Sequence, residues 1–178
     1  DLGRQLGATT LDEIFSRFGL RQRPDLPIPT NGNAAATADA GMAAIGQAVL
    51  TVTPLQAALA TAALAGDGRL PRPRLVEAIS GTDGEWIIQP PGARQSSRPA
   101  LLAETAAAAR AVWPEFAGAR EFSVSVLSGP DGSRNSWFLG MAPATSPRYV
   151  VALVVEDAAG LDVAEAIGRG VLSLAAAP

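Results

Sequence analysis

Apolar residues recur every three to four positions in four stretches of the chain, which is the spacing of an amphipathic helix. The clearest stretch begins at Thr53, which can cap the helix, with Pro54 in the first turn and Gln56 placed to bond back to the cap. A similar cap is expected at Thr10, and a stop at Gly19. The pattern predicts four helices, over residues 10–18, 54–65, 99–112 and 161–174.

Short apolar runs separated by turn residues occupy the last third of the chain. They predict three strands, Phe122–Ser128, Ser136–Met141 and Tyr149–Glu156. Because short connections join these runs, the strands should be antiparallel neighbours. The third run is apolar on both faces, so we expect it to be the central strand. Two shorter strands are expected earlier, one beginning at Leu75 and one over residues 85–89.

Helices followed by a meander are typical of an α+β fold. We expect an antiparallel sheet with flanking helices beside a helical subdomain. Residues 1–178 would form a single domain or a domain fragment, with a mainly helical part over 1–114. The three-strand meander and the last helix would occupy 115–178. Three strands and one covering helix make a small core for this length, so the sheet is expected to need further strands.

The composition excludes several kinds of chemistry. The chain has no Cys, no His and no Lys, and all 14 basic residues are Arg. Ser-His-Asp and Cys-His catalysis, a Ser-x-x-Lys pair, a Walker P-loop and zinc sites built on Cys or His are therefore impossible within it. A net charge of −3 argues against a basic nucleic-acid surface. No metal site is expected.

Carboxylates are the acid–base groups that remain. The nearest pairs in sequence are Glu115 with Glu121 and Glu156 with Asp157. Because Asp and Glu are rarely buried, we expect these to be solvated surface acids. Asp131-Gly132 lacks the oxygen-rich surroundings of a calcium loop and is expected to be a plain turn.

Several local patterns occur in one order along most of the chain: "FGL" at 18–20, "PDLP" at 24–27, "AAIGQAVLTVTPLQ" at 43–56, "VSVLSG" at 124–129 and "WFLGMAP" at 137–143. In this order the chain resembles the later part of the transpeptidase domain of penicillin-binding proteins, the bacterial enzymes that cross-link peptidoglycan. The block from Gly46 to Gln56 is the most specific element. The resemblance implies a partial β-lactamase/transpeptidase-like fold, whose first strands and nucleophile helix would lie upstream. It also implies that no cofactor is needed, since the family's chemistry uses none.

The resemblance also implies where a substrate would bind. In the family a Ser-x-x-Lys motif supplies nucleophile and base, a Ser-x-Asn motif follows, and a Lys-Thr-Gly strand borders the cleft. Leu127, Ser128 and Gly129 take the place of Lys-Thr-Gly here, and Leu127 cannot carry the positive charge. Pro130 follows where the family donates a backbone N–H to the oxyanion, and Pro has none. No catalytic residue is assigned, and Arg134 is the one nearby cation that could replace the lysine.

Ser133-Arg134-Asn135 spells Ser-x-Asn, but it follows the Lys-Thr-Gly-like strand and is out of the family order. We interpret it as polar residues of a turn. Trp137 and Phe138 are expected to pack between sheet and helix, with an aromatic ligand platform as the alternative.

Three functions stay open at this point. The first is a catalytically degenerate transpeptidase-like domain, a pseudoenzyme that acts as a scaffold or recognises stem peptides or other proteins in cell-wall synthesis. The second is a fragment of an active D,D-transpeptidase whose Ser-x-x-Lys lies upstream. The third is a peptide-binding α+β module unrelated to the cell wall, which would add a strand at the edge Phe122–Ser128. The first two imply an extracytoplasmic location on the bacterial cytoplasmic membrane, with the anchor outside this chain and possible completion of the sheet by an upstream segment.

Overall fold

The computed structural model describes residues 2–32, 36–47, 50–89, 97–128 and 132–176. Within these ranges the helices are α1 (Leu2–Arg17), α2 (Ala40–Ala44), α3 (Pro54–Ala65), α4 (Ala103–Ala111) and α5 (Asp162–Ala176). The strands are β1 (Arg69–Leu70), β2 (Ala78–Ser80), β3 (Trp86–Ile88), β4 (Arg98–Pro99), β5 (Glu115–Phe116), β6 (Ala119–Ser128), β7 (Ser133–Ala142) and β8 (Tyr149–Val155). No helix of these described ranges combines the length and apolarity that a membrane crossing needs.

The main sheet is antiparallel, with strand order β5-β6-β7-β8. Strands β6 and β7 form a long hairpin whose register runs from Arg120 opposite Met141 to Ser128 opposite Ser133. Strand β8 then pairs with β7 along its whole length. The α+β class and the meander are therefore confirmed, with a short fourth strand added at β5.

The expectation that the last strand is central is wrong for the part of the sheet that the structure describes. Strand β7 lies between β6 and β8, and β8 forms the edge. Strand β8 is apolar on both sides because helices cover both: α5 packs against β7 and β8, and α3 contacts the same strands from the opposite face. A strand sequence that is apolar on both faces indicates that helices cover both faces. A strand at the edge of a sheet can be covered in this way as well as a central one.

Helix α5 packs closely on the sheet through two glycines. Phe138 is fully buried, and its ring fills the space where Gly168 lacks a side chain. Leu172 approaches Gly140 in the same way. A Cβ at either glycine would collide with its neighbour, so these small residues set the distance between helix and strand. Phe138 and Leu172 belong to the core cluster that also contains Ala119, Ala142 and Ala164.

Helix α3 begins as the sequence predicts. The Thr53 hydroxyl accepts a hydrogen bond from the Gln56 N–H at 3.2 Å, and Gln56 Oε1 accepts one from the Thr53 N–H at 2.9 Å. Gln56 is also buried, and its Nε2 donates to the carbonyls of Gly19, Leu20 and Gln22 at 3.2, 3.1 and 2.8 Å. One side chain thus caps a helix and fixes the loop that follows α1.

Several predicted boundaries are wrong. Strands β6 and β7 each begin three residues earlier than expected, at Ala119 and Ser133. Helix α1 begins at Leu2 and includes Thr10, and its interruption is at Gly7, whose φ of 78° only glycine adopts easily. Helix α4 starts at Ala103 instead of residue 99, because Arg98–Pro99 pairs with β1 as a strand. The strand expected from Leu75 begins at Ala78 and pairs with β3, which lies within the predicted range 85–89.

Candidate functional site

The residues that the sequence assigns to a substrate groove lie at one end of the β6–β7 hairpin. We call residues 126–128 and 133–135 the Leu127 end. Here Leu127 is directly opposite Arg134, and Ser128 is opposite Ser133. Gly129 and Pro130 lie outside the described residues. The structure therefore brings Leu127, Ser128 and Arg134 together at a single hairpin end.

Strand geometry divides the Leu127 end between the two faces of the sheet. Successive side chains on a strand point to opposite faces. Phe138 faces α5, so Arg134, four residues earlier on β7, lies on the α5 face, as does its cross-strand neighbour Leu127. Ser128 and Asn135 lie on the other face, which α3 covers farther along β7 and β8. Arg134 and Ser128 are thus close in register but on opposite faces.

Ser128 is held by a side chain for which the sequence reasoning had no role. Asn135 Nδ2 donates a hydrogen bond to Ser128 Oγ at 3.1 Å, and Asn135 Oδ1 accepts one from the Asp157 N–H at 3.4 Å. Asn135 therefore connects the hairpin end to the turn after β8. The expectation that Ser133-Arg134-Asn135 forms the turn is wrong, because β7 begins at Ser133. The role of Asn135 depends on the pairing of β6 with β7, which places Asn135 and Ser128 on the same face of the sheet.

Both charged and apolar groups at this end face solvent. Leu127 is 50% exposed, and the Arg134 side chain is exposed and has no hydrogen bond or ion pair with any described residue. The outer edge of β6 has a strand partner only at Ala119 and Arg120, where β5 pairs with it. From Phe122 to Ser128 that edge is open among the described residues, so it could accept an extended chain.

Trp137 and Phe138, expected to pack together between sheet and helix, separate to opposite faces of β7. Phe138 is fully buried under α5, which confirms its core role. Trp137 is only partly buried on the face shared with Ser128 and Asn135.

The opposite end of the hairpin carries an ion pair whose carboxylate is buried and whose guanidinium is partly exposed. Glu121 is 7% exposed, and both of its carboxylate oxygens accept hydrogen bonds from Arg169 of α5, at 2.8 and 3.1 Å from Nε. These bonds hold the pKa of Arg169 above its usual value. Arg169 also pairs with Glu165 at 3.2 Å and stacks on Phe116, with 4.3 Å from guanidinium carbon to ring centroid. The prediction that Glu121 is a solvated surface acid is therefore wrong.

The described residues offer little acid–base or metal chemistry. No group of three or more His, Cys, Asp or Glu side chains within the described ranges could hold a metal ion. Glu115 pairs with Arg120 at 3.3 Å, and Glu156 and Asp157 are exposed. What the Leu127 end presents is a serine hydroxyl, an open strand edge and one exposed guanidinium, which are groups that bind and orient a ligand.

A long antiparallel hairpin that ends at Ser128 and packs under helix α5, with a capped helix on the other face, is the architecture of a transpeptidase-like domain. The family model described as the penicillin binding protein transpeptidase domain matches residues 1–106. The chain belongs to this family.

Known relatives agree with this assignment. The peptidoglycan D,D-transpeptidase PbpA of Mycolicibacterium smegmatis is 31% identical over 199 aligned positions, which cover 98% of this chain and 40% of PbpA. The imipenem acyl-enzyme complex of penicillin-binding protein A from M. tuberculosis superposes with a TM-score of 0.86 at 27% identity, over 98% of this chain and 43% of that one. The D,D-transpeptidase domain of a peptidoglycan glycosyltransferase from Eggerthella lenta shares the fold, with a TM-score of 0.75 at 24% identity, over 98% of this chain and 49% of that one.

These matches confirm the predicted family and fold class and support a relationship to proteins of cell-wall synthesis. They also show that the chain spans about 40% of the length of the curated relatives it matches.

Proposed function

We propose that this chain is the later part of a catalytically degenerate transpeptidase domain, which recognises peptidoglycan stem peptides or scaffolds other cell-wall synthesis proteins. In this proposal the Leu127 end keeps the backbone shape of the family's substrate-binding strand and lacks the positive charge of its lysine. The open edge of β6 is the surface on which an extended peptide would lie. The protein would act on the extracytoplasmic side of the bacterial membrane, anchored by a segment outside this chain.

The placement of Leu127 and Arg134 is the observation that carries the proposal. The family's strand lysine corresponds to Leu127, and Arg134 is the nearest cation in the sequence. Leu127 and its cross-strand neighbour Arg134 both lie on the α5 face. The position of the family's lysine therefore carries an uncharged side chain, and the guanidinium at this end belongs to the neighbouring strand.

The expected loss of binding is considerable. A hydrogen bond to a charged group contributes about 1.5–3 kcal/mol, which corresponds to roughly a tenfold to hundredfold difference in affinity. Pro130 removes a backbone donor at the position that corresponds to the family's oxyanion site, and the loss of one such donor lowers the rate by about 10²–10³-fold. The two losses act on different steps and would together make acyl transfer very slow.

A labelled β-lactam tests the proposal. The full-length protein that contains this chain is incubated with fluorescent penicillin, with M. smegmatis PbpA as the positive control. We expect PbpA to be labelled and this protein to remain unlabelled at the same concentration and time. Covalent labelling that excess unlabelled penicillin abolishes would contradict catalytic degeneracy.

An active D,D-transpeptidase with its nucleophile upstream is the second candidate. It is favoured by the match to PbpA, which covers nearly all of this chain and less than half of that enzyme. Leu127→Lys, with Leu127→Gln as the matched control, separates the two candidates. If the upstream half supplies an intact Ser-x-x-Lys, restoring the charge should raise the labelling rate at least about tenfold over the Gln variant. Equal absence of labelling in both variants supports the degenerate domain.

The free edge of β8 supports a further part of the proposal. Strand β8 pairs with β7 on one side and has no partner on the other among the described residues, although helices cover both of its faces. A covered strand with an open edge is suited to accept another strand. We propose that a segment upstream of residue 1 extends the sheet here. Membership of the transpeptidase family argues against the third candidate, a module with no link to the cell wall.

A further inference from the structure

A cavity of about 380 Å³ lies on the helical side of the molecule and shares no residue with the Leu127 end. Its apolar lining comes from Phe18, Leu59 and Leu70, together with prolines of the neighbouring loops. Three arginines also line it, Arg23, Arg72 and Arg98. We call it the arginine cavity.

The charge of the arginine cavity is opposite to that of the chain. Asp25 is its one acidic lining residue, so the lining has an excess of two positive charges. The chain as a whole carries a net charge of −3. Arginines beside an apolar surface repel one another and lose hydration, so this concentration of positive charge favours an anion in the cavity.

The guanidinium groups have unused donors. Each guanidinium carries five N–H donors. Arg72 pairs with Asp25, and Arg98 donates once, from Nη2 to the Ser16 carbonyl at 3.0 Å. Arg23 makes no side-chain hydrogen bond or ion pair with any residue that the structure describes. Arg98 is therefore anchored with most of its donors available, and Arg23 is free to turn toward a ligand.

The wall of the cavity is held in place by the protein itself. Gln56 lines it, but its amide is fully engaged with the cap of α3 and with the carbonyls of the loop over residues 19–22. Leu70 belongs to the second core cluster, against which Phe18 and Leu59 pack. A site that is largely formed before its ligand arrives loses less free energy on ordering.

We propose that the arginine cavity binds a carboxylate attached to a compact apolar body. Planar guanidinium groups match a carboxylate with two parallel hydrogen bonds, and the apolar lining accommodates the rest of the ligand. A volume of about 380 Å³ lies within the range of small-molecule sites. The carboxylate could belong to a free organic acid or to the end of a peptide, since both present the same chemistry.

Matched probes test this site in the full-length protein. The first is 4-phenylbutyrate, and the second is 4-phenylbutan-1-ol, which has the same apolar body without the charge. Binding is followed by NMR of methyl-labelled leucine, with Leu59 and Leu70 as the reporters. For a ligand of this size we expect a dissociation constant in the millimolar range for the acid, and roughly tenfold weaker binding for the alcohol.

Substitutions of single arginines test which guanidinium contributes to binding of the acid. Arg23→Gln removes a guanidinium that has no partner among the described residues, so it should leave stability unchanged and weaken binding of the acid at least about fivefold. Arg74→Gln is the control, since Arg74 is exposed, pairs with Glu77 and does not line the cavity. An acetylated Gly-Phe dipeptide with a free carboxylate, compared with its amide, tests the peptide source in the same assay. Equal binding of acid and alcohol, or equal effects of the two variants, would overturn the proposal.

Discussion

The two ends of the β6–β7 hairpin are built from the same pair of strands and differ in almost every physical respect. At the opposite end, residues 120–123 and 138–141, which we call the Glu121 end, Phe138 is fully buried, Gly140 touches Leu172, and the carboxylate of Glu121 is bonded to Arg169. At the Leu127 end, Leu127 is half exposed and Arg134 is exposed without a partner among the described residues. One end is packed against α5, and the other presents exposed side chains on the same face of the sheet.

The difference separates what determines the fold from what could bind a ligand. Side chains at the Glu121 end are constrained by close packing, so their identity is set by α5. The side chains of Leu127 and Arg134 are exposed, so their replacement costs the fold little. A family scaffold could therefore lose a strand lysine while its hairpin stays intact, which is the change we propose at Leu127.

The largest expected effect is at Phe138. Phe138→Ala should lower the free energy of unfolding by about 3–5 kcal/mol, because a fully buried ring is removed from a packed core. Urea denaturation of the purified protein measures the change. Arg134→Ala, four residues earlier on the same face, is the matched control and should change stability by less than about 0.5 kcal/mol. Similar losses of unfolding free energy at the two positions would mean that the two ends do not differ in their contribution to stability.

A second effect is expected at Gly168, where α5 crosses β7. Gly168→Ala places a methyl group against the Phe138 ring and should destabilise the protein by about 1–3 kcal/mol, although Ala favours the helix more than Gly does. Gly170→Ala is the control, since nothing lies within 4 Å of a Cβ built there.

The measurement is again the urea midpoint. We expect Gly170→Ala to be neutral or stabilising by up to about 1 kcal/mol. If both alanine variants are stabilising, α5 must be able to move away from β7. The close packing at Gly168 would then not constrain the Glu121 end.

Sequence patterns predicted the parts of this fold whose signals are local. Strands β6, β7 and β8 appear as apolar runs, and the Thr53 cap with Gln56 is encoded within four consecutive residues. The hairpin end at Leu127 could also be predicted, because turn-forming residues separate two apolar runs in the sequence.

Features that depend on distant partners could not be predicted in this way. Glu121 was expected to be solvated because its partner Arg169 lies 48 residues away on another element. Gln56 was identified as part of a cap, and its bonds to the loop over residues 19–22 could not be foreseen. The edge position of β8 was missed because coverage by two helices produces the same apolar run as a central place in a sheet.

An effect of intermediate size is expected at the ion pair of the Glu121 end. Glu121→Gln removes the charge that faces Arg169 at a buried position and should lower the thermal midpoint by about 2–6 °C. Glu165→Gln is the control, since Glu165 contacts the same guanidinium one helical turn away and is more exposed. Differential scanning calorimetry should show a clearly smaller shift for Glu165→Gln. Equal shifts would mean that burial of Glu121 contributes nothing beyond an ordinary surface pair.

The smallest expected effect is at Asn135, whose side chain connects the Leu127 end to the turn after β8. Asn135→Ala removes the bonds to Ser128 Oγ and to the Asp157 N–H and should lower the free energy of unfolding by about 0.5–1.5 kcal/mol. Asn135→Asp is the matched variant, since it keeps an acceptor for Asp157 and loses the donor to Ser128. Hydrogen exchange should show faster opening at residues 126–128 in the alanine variant, with the amides near Phe138 unchanged. If exchange near Phe138 accelerates to the same extent, the two ends unfold as one unit and their apparent independence is wrong.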